Sequence, residues 1–204
     1  MDAVIEVIGT SKPFVSRGGE KLVAALDAGT IDPQGMTCLD VGCSTGGFTD
    51  CLLQRGAAKV YAVDVGYGQF DWRLRQDPRV VLIERTNIRH MEPSTIPVLV
   101  DLVVIDVSFI SLTKVLPVIV PLLRPRASVI ALIKPQFEVG KGLVGRGGVV
   151  RDEAQRTEVG RGIINFAATV GLRIVNTLDS PIKGKKGNQE ILAIFESTMP
   201  FHGM

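Results

Sequence analysis

The stretch Leu39-Asp40-Val41-Gly42-Cys43-Ser44-Thr45-Gly46-Gly47-Phe48 decides the fold of this chain. It has the pattern of an apolar strand that runs into a glycine-rich turn and then into a helix. About twenty residues further on, a second apolar run ends in Asp64, at the spacing typical of the first two strands of a Rossmann-like unit. Glycines let the backbone approach a ligand closely, and a carboxylate accepts hydrogen bonds from ribose hydroxyls. The pattern therefore predicts a crevice for a nucleoside-bearing cofactor.

The spacing of the glycines favours S-adenosylmethionine over a dinucleotide. A dinucleotide site needs G-x-G-x-x-G and a helix amino terminus directed at a pyrophosphate, whereas residues 42–47 have G-x-x-x-G-G and follow Asp40. A carboxylate there suits the amino group and sulfonium of S-adenosylmethionine but would repel a pyrophosphate. The alternative is that the glycines form only a tight turn and that Asp40 caps the helix. The second acid, Asp64, makes that alternative less favoured.

The composition is that of one globular domain. Of the 204 residues, 46% are hydrophobic and 22% are charged, which argues against disorder. No apolar run reaches the roughly 20 residues that span a bilayer, and the amino terminus lacks the pattern of a secretory signal. We therefore expect a cytoplasmic protein without a membrane partner. The cysteines Cys38, Cys43 and Cys51 form no C-x-x-C pair and are predicted to be buried thiols, and no metal site is predicted.

Apolar runs alternate with amphipathic segments along the chain, as in a doubly wound sheet. Strands are predicted at Thr37 to Val41, Lys59 to Val63, Val80 to Ile83, Leu99 to Ile105, Ser128 to Ile133, Leu172 to Leu178 and Ile191 to Phe195. Helices are predicted at Glu20 to Asp27, Gly47 to Gln54, Leu112 to Leu123 and Glu153 to Thr169, the last capped by Asp152. Residues Lys134 to Val150 are predicted to form a glycine-rich loop beside the site. The fold class is thus α/β, a Rossmann-like S-adenosylmethionine-dependent methyltransferase fold whose seven-stranded, mostly parallel sheet has helices on both faces.

Four charged residues lie where the strand pattern does not account for them. Asp106 follows the fourth predicted strand and Lys134 follows the fifth, so both are expected at the carboxyl edge of the sheet, where open-sheet enzymes bind ligands. Lys21 precedes the first strand, and Glu190 stands at the start of the last one. We predict that these two lysines and two carboxylates meet in one cleft.

Such a set suits the methylation of a hydroxyl. A ribose hydroxyl is a poor nucleophile that must be oriented and must lose its proton as the new bond forms. Lys134 is predicted to act on that proton with Asp106 orienting it, while Glu190 positions Lys21 or the hydroxyl. The alternative for each residue taken singly is a surface salt bridge at a strand end.

Five motifs resemble those of the TlyA family of ribosomal RNA methyltransferases, also called hemolysin A, and together they span nearly the whole chain. They are Ser16-Arg17-Gly18-Gly19-Glu20-Lys21-Leu22, Leu39 to Asp50, Asp106-Val107-Ser108-Phe109-Ile110-Ser111-Leu112, Lys134-Pro135-Gln136-Phe137-Glu138 and Gly187-Asn188-Gln189-Glu190. The resemblance implies an FtsJ-like ribose 2'-O-methyltransferase whose Lys-Asp-Lys-Glu catalytic tetrad falls on Lys21, Asp106, Lys134 and Glu190. It further implies S-adenosylmethionine as cofactor. The implied substrate is cytidine ribose in RNA of both ribosomal subunits, or of the large subunit alone, within assembled particles.

Cofactor contacts are expected around the ends of the first four strands. They are predicted at Asp40, Gly42, Cys43, Ser44, Thr45, Gly46, Gly47, Phe48, Asp64, Val65, Asn87, Ile88 and Asp106. The resemblance implies that Asp64 lies at the cofactor ribose and that Asn87 lies near the adenine.

Members of the family carry an amino-terminal S4-type RNA-binding domain of roughly sixty residues, the size of a small domain. We interpret residues 1–15 as a linker or a remnant of such a domain, 16–197 as the methyltransferase domain and 198–204 as a tail. RNA contacts are predicted from basic residues near the crevice, namely Arg17, Lys141, Arg146, Arg151, Lys183, Lys185 and Lys186. The alternative is that these charges are solvated surface. The oligomeric state is left open.

Three other functions stay as alternatives. A membrane-active hemolysin should show a long apolar span, a strongly amphipathic helix or an alternating barrel pattern, and none stands out. A noncatalytic RNA-binding or ribosome-assembly protein would keep the fold but would be indifferent to Lys134→Ala. The third is a base or small-molecule methyltransferase. Methylation of a base nitrogen often uses Asn/Asp-Pro-Pro-aromatic at the fourth strand, whereas this chain has Asp106-Val107-Ser108-Phe109, which favours oxygen as the acceptor.

Overall fold

The computed structural model describes residues 13–140, 145, 147–184 and 186–198, so most of the predicted linker and tail lies outside the described residues. The strands are β1 (Thr37–Val41), β2 (Lys59–Val63), β3 (Val80–Ile83), β4 (Val100–Ile105), β5 (Leu123–Ile133), β6 (Leu172–Asp179) and β7 (Ile191–Ser197). The helices are α1 (Gly18–Gly29), α2 (Gly47–Gln54), α3 (Trp72–Arg75), α4 (Leu116–Ile119), α5 (Pro135–Glu138) and α6 (Glu153–Thr169). No helix in this part of the chain is long and apolar enough to cross a membrane.

The sheet confirms the predicted fold class. Its seven strands lie in the order β3-β2-β1-β4-β5-β7-β6. β7 runs antiparallel to β5 and β6, whereas the other adjacent strands are parallel. From β1 the chain moves outward to β2 and β3 and then returns to β4 on the other side of β1. This reversal creates a crevice at the carboxyl ends of β1 and β4, the usual ligand site of open α/β sheets.

An apolar core packs against each face of the sheet. Successive strand residues point to opposite faces, so Leu39 joins the core that contains Ala167 of α6, and Cys38 joins the core that contains Leu22 of α1 and Leu52 of α2. All of these side chains are fully buried. Helices therefore cover both faces, as predicted.

The three cysteines are free and buried, as the sequence predicts. Burial raises the pKa of Cys38 and of Cys51 to about 12, so both thiols stay protonated at neutral pH. Cys43 packs in the same core as the other two. They act as small apolar residues of the packing.

The predicted helix Leu112 to Leu123 is wrong as a single element. The segment forms the one-turn helix α4 with a single 3-10 turn before it and another after it. β5 already begins at Leu123. Pro117 and Pro121 account for the breaks, because proline lacks an amide hydrogen and restricts the preceding residue. The loop predicted from Lys134 likewise begins with the helix α5.

Strand register brings three residues of the predicted tetrad to one edge. Val41 pairs with Ile105, and β4 continues in parallel register beside β5, so Asp106 and Lys134 follow neighbouring strands at their carboxyl ends. β7 is antiparallel, and its first residue, Ile191, pairs with Ile133. The start of β7 therefore lies at the same edge as the end of β5. Because β7 runs antiparallel to β5, Glu190, which directly precedes β7, also lies at this edge.

Candidate active site

Asp106 and Lys134 form an ion pair at the carboxyl edge of the sheet. Lys134 Nζ lies 2.6 Å from Asp106 Oδ1 and donates a hydrogen bond of 2.9 Å to Ser108 Oγ. Only 12% of the Lys134 side chain and 24% of the Asp106 side chain are exposed. Pro135 begins α5 directly after Lys134, because a proline at the first position of a helix needs no amide hydrogen there. The lysine is thus held at the point where the strand ends.

Lys21 and Glu190 form a second ion pair that is more deeply buried. Lys21 Nζ lies 2.6 Å from Glu190 Oε2, and the two side chains are 11% and 3% exposed. Gly184 lies against this carboxylate, since a Cβ at position 184 would be 2.6 Å from Glu190 Oε1. Both ion pairs line one cleft of about 620 Å³. The four residues predicted to act together are therefore brought together.

The glycine-rich loop that follows β1, at residues 42–48, lines the same cleft. Its contributing residues are Gly42, Cys43, Ser44, Thr45, Gly47 and Phe48. Gly42 has a φ of +85°, and a Cβ there would be 2.6 Å from the backbone oxygen of Asp106. A side chain at position 42 would therefore strain the backbone and push the loop away from the end of β4. Only glycine allows the two strand ends to approach this closely.

Asp64 links the end of β2 to this loop. Its Oδ2 accepts a hydrogen bond of 2.8 Å from the amide of Ser44, and its Oδ1 accepts one of 2.6 Å from the amide of Gly66. The carboxylate thus fixes the glycine-rich loop beside the residues that follow β2. The expected hydrogen bond to a cofactor ribose stays a prediction.

Asp40 is fully buried and does not line the cleft. Its Oδ2 accepts a hydrogen bond of 2.7 Å from Thr49 Oγ1 in α2, and its Oδ1 has no hydrogen-bond partner among the described residues. The pKa of Asp40 is raised to about 7, chiefly by burial and to a lesser extent by the charges of Asp106 and Asp64, and the Thr49 hydrogen bonds oppose part of this rise. Asp40 therefore lies behind the loop, where it holds α2 to β1, and its contact with the cofactor stays a prediction.

Five other expected cofactor residues, Asp64 among them, are also outside the set that lines the cleft. Gly46 packs against Leu74 and Phe70, and Ile88 is buried. Val65 is 67% exposed, and Asn87 accepts a hydrogen bond from the amide of Arg89. Their roles stay predictions.

The basic residues divide into three groups. Arg17, Lys183 and Lys186 line the cleft. Arg151 is exposed but is not part of the lining. The remaining three lie outside the described residues, namely Lys141, Arg146 and Lys185.

The sequence reasoning missed several residues of the cleft. Ser108 bonds Lys134, and Phe109 and Phe137 line the cleft with their rings in contact. Asn188 holds the end of the loop that spans residues 134–150, because its amide group bonds both the oxygen of Gly148 and the amide of Val150. Each stands within three positions of a predicted tetrad residue or inside a quoted motif, so proximity to the tetrad in sequence could have identified them.

The sequence matches the FtsJ-like methyltransferase family over residues 14–196. It is 51% identical over 188 residues to TlyA of Mycobacterium tuberculosis, named a 16S/23S rRNA (cytidine-2'-O)-methyltransferase, with 92% of this chain and 70% of that protein covered. It is 47% identical over 195 residues to a protein named hemolysin A from Brachyspira hyodysenteriae, with 94% of this chain and 80% of that protein covered.

A solved structure supports the same assignment. A protein described as a candidate hemolysin from Streptococcus thermophilus superimposes with a TM-score of 0.89 at 44% identity, over 93% of this chain and 69% of that chain. Fold, motif positions and sequence identity thus agree over nearly the whole length of the chain. The chain therefore belongs to the FtsJ-like methyltransferase family, in the group of TlyA-like proteins that its motifs predict.

Proposed function

We propose that this chain transfers a methyl group from S-adenosylmethionine to the ribose 2'-hydroxyl of a cytidine in ribosomal RNA. The observation that carries the proposal is the meeting of two ion pairs, Lys134–Asp106 and Lys21–Glu190, in the cleft that the glycine-rich loop also lines. The name of the TlyA relative, a 16S/23S rRNA (cytidine-2'-O)-methyltransferase, supports cytidine as the nucleoside and ribosomal RNA as the substrate.

The cleft fits the proposed cofactor. Its volume of about 620 Å³ falls inside the range of roughly 300–1,000 Å³ typical of small-molecule sites. Gly42, with no Cβ, keeps the loop close to the end of β4, and Asp64 fixes the Ser44 amide from the other side. When bound, S-adenosylmethionine supplies an electrophilic methyl group on a sulfonium. These residues would hold it beside the tetrad.

Lys134 is the residue that would act on the hydroxyl proton. To accept that proton as the oxygen forms its new bond, Lys134 must first release its own proton to solvent, and Asp106 at 2.6 Å then stabilises the ammonium that forms again. Ser108 fixes the direction of Nζ through its hydrogen bond. Orientation of this kind supplies much of the rate, because a poorly aimed hydroxyl rarely meets the methyl carbon.

Lys21 would hold the substrate. Its partner Glu190 is nearly inaccessible, so the side chain of Lys21 keeps one direction and presents its ammonium to the cleft. An ammonium there attracts the ribose oxygens and the adjacent phosphate. We assign Lys21 and Glu190 to positioning and Lys134 and Asp106 to proton transfer.

RNA would enter along the basic side of the cleft. Arg17, Lys183 and Lys186 line it and have the charge to contact phosphates. We expect the substrate to be RNA within assembled ribosomal subunits, and such a substrate implies that the protein works in the cytoplasm.

The test is transfer of labelled methyl groups from S-adenosylmethionine to isolated small and large ribosomal subunits, followed by mapping of ribose methylation. We expect methylation of cytidine by the parent protein and by Lys114→Ala, which removes an exposed lysine outside the cleft. Lys134→Ala should bind the cofactor, measured by calorimetry, but should transfer no methyl group. Cofactor binding without methylation of either subunit by the parent would overturn the proposed substrate, and indifference to Lys134→Ala would indicate an assembly protein instead.

A further inference from the structure

Gln136 has a buried acceptor oxygen without a donor. The residue lines the cleft, and its Oε1 accepts no hydrogen bond from any described residue. Two other buried side-chain oxygens in the described part of the chain share this property, but Asp106 Oδ1 has Lys134 beside it and Asp40 does not line the cleft. A buried acceptor without a donor lowers stability. Its position in a binding cleft indicates a ligand that supplies the donor.

Gln136 lies on the side of the cleft where the hydroxyl is proposed to react. It belongs to α5 and follows Lys134, the residue proposed to accept the hydroxyl proton, by two positions. The glycine-rich loop and Asp64 follow β1 and β2, and β4 separates those strands from β5 in the sheet. The amide of Leu112 donates a 2.9 Å hydrogen bond to Glu138 Oε1, which fixes α5 to the segment after β4. The missing donor is therefore expected from the methylated nucleotide and not from the cofactor.

We propose that Gln136 selects cytidine by accepting a hydrogen bond from the exocyclic amino group of its base. This inference rests on the proposed function and deepens it, because it names the residue that distinguishes the nucleoside. Within an RNA strand the 3' and 5' oxygens are esterified, so a cytidine nucleotide has two donors, the 2'-hydroxyl and the amino group. Lys134 takes the proton of the hydroxyl, which leaves the amino group for Gln136. The base is attached to the ribose carbon next to the one that carries the 2'-hydroxyl, so both groups enter the cleft together.

The same contact would disfavour uridine. Uracil has a carbonyl oxygen where cytosine has the amino group, so Gln136 Oε1 would face a second acceptor. The terminal torsion of a glutamine is broad and allows the oxygen to turn to a donor in the cleft. Turning the NH₂ group to uracil instead would leave Oε1 without a donor, as it is in the empty cleft. Cytidine alone of the two pyrimidine nucleosides therefore satisfies this oxygen through that position of the base.

The test compares ribosomal subunits that have cytidine at the methylated position with subunits that have uridine there. The measurement is kcat/KM for methyl transfer to each substrate. We expect the parent protein to prefer cytidine by roughly 10- to 100-fold, the size of one hydrogen bond whose loss leaves a buried group unpaired. Gln136→Met keeps the length of the side chain without its amide group and should methylate both substrates at similar kcat/KM. Gln136→Glu keeps an acceptor oxygen and should retain the preference, and Gln76→Met, at an exposed glutamine outside the cleft, should behave like the parent.

The outcomes separate this inference from the proposed function. If the parent methylates subunits but Gln136→Met prefers cytidine as strongly as the parent does, the selection by Gln136 is wrong and the proposed function stands. Equal kcat/KM of the parent for the two substrates has the same meaning, whereas a parent that methylates neither overturns the proposed function and this inference with it. Calorimetry of S-adenosylmethionine binding should give the parent affinity for Gln136→Met. Weaker cofactor binding with an unchanged preference would mean that the oxygen faces the amino group of the cofactor instead.

Thermal melting shows whether the variants fold. Gln136→Met should melt at or above the Tm of the parent, because it removes a buried acceptor that has no donor among the described residues. If Gln136→Met does not fold, Gln136→Glu decides the question. A folded Gln136→Glu protein that methylates both substrates equally well would overturn the inference.

Discussion

Lys134 Nζ lies 2.6 Å from Asp106 Oδ1 and 2.9 Å from Ser108 Oγ, so the lysine is held between a charged and a neutral partner that both come from the segment after β4. The two partners differ in what they can do during methyl transfer. A carboxylate can stabilise a new positive charge on Lys134, whereas the hydroxyl of an exposed serine can only orient the amine. Substitution of each partner separately therefore distinguishes charge stabilisation from orientation.

Asp106→Asn keeps the shape of the side chain but removes its charge. We expect the rate constant for methyl transfer to fall by roughly 100- to 10,000-fold, the range for loss of acid–base assistance. Ser108→Ala should cost only about two- to tenfold, in line with the loss of one neutral hydrogen bond. Single-turnover transfer of labelled methyl groups measures both. Asp101→Asn, a change at the other end of β4, is the control, and equal losses for Asp106→Asn and Ser108→Ala would contradict the charge-based role.

Substitutions in the Lys21–Glu190 ion pair should affect the stability of the protein and its methyl-transfer activity differently. Glu190→Ala leaves the ammonium of Lys21 unpaired where only 11% of its side chain is exposed. Breaking a buried pair from one side costs about 3–5 kcal/mol of unfolding free energy, and each kcal/mol lowers Tm by roughly 2–4 °C in a domain of this size. Chemical denaturation and thermal melting measure the loss.

The double variant Lys21→Met/Glu190→Met tests whether the loss of unfolding free energy in Glu190→Ala comes from the unpaired charge of Lys21. Two apolar side chains should recover most of the stability, because neither leaves a charge unpaired. Methyl transfer should stay low, since the ammonium that would hold the substrate is gone. A double variant as unstable as Glu190→Ala would mean that the site needs the ion pair for its packing.

The sequence predicted the parallel part of the fold well, because β1, β2 and β3 are short apolar runs bounded by turn residues, and their limits match the structure. It also predicted that Asp106 and Lys134 would meet, because residues after parallel strands collect at one edge. Glu190 reaches that edge differently, through the antiparallel β7. The segment after Ser111 was less predictable. Its apolar spacing resembles a helix, yet Pro117 and Pro121 divide it into short turns.

Burial of polar groups was the part of the site that the sequence could not predict. Asp40 precedes the glycine-rich loop, and a charge argument alone directs it to a cationic ligand. In the structure its carboxyl group is behind the loop and bonded to Thr49. Phe109 was missed because nothing in its position in the sequence indicates that its ring is 90% exposed.

The basic residues of the cleft predict a salt-dependent interaction with RNA. Loss of one lysine–phosphate contact reduces the magnitude of the slope of log affinity against log salt concentration by about 1. We expect Lys183→Ala and Lys186→Ala each to reduce the slope for an oligocytidylate by about that amount. Lys114→Ala, outside the cleft, should leave the slope unchanged. Filter binding across a salt series measures it, and an affinity that does not depend on salt would count against a surface that follows phosphates.

The buried carboxyl group of Asp40 should make the stability of the folded protein depend on pH. Its pKa is raised from 3.8 to about 7 in the folded protein, chiefly by burial. Between these two pH values the folded state binds a proton that the unfolded state has released, so the contribution of Asp40 to stability is fully present below pH 3.8 and is lost as pH rises through about 7. Above that pH the fold retains a buried charge whose only described hydrogen-bond donors are on Thr49.

Asp40→Asn should remove this dependence, because an amide does not titrate and its oxygen can still accept the hydrogen bond from Thr49. At pH 8 the variant should equal or exceed the parent in unfolding free energy, by on the order of 4 kcal/mol at most, at 1.36 kcal/mol for each pKa unit. The gap should narrow as pH falls through 7, because Asp40 is then protonated in the folded parent, but it should close only below pH 3.8, where the unfolded chain is protonated as well. Urea denaturation at a series of pH values, with Asp101→Asn as the control, measures the difference. A gap that is constant across the series would mean that Asp40 is already ionised at pH 5 and that its burial is compensated by the surrounding backbone.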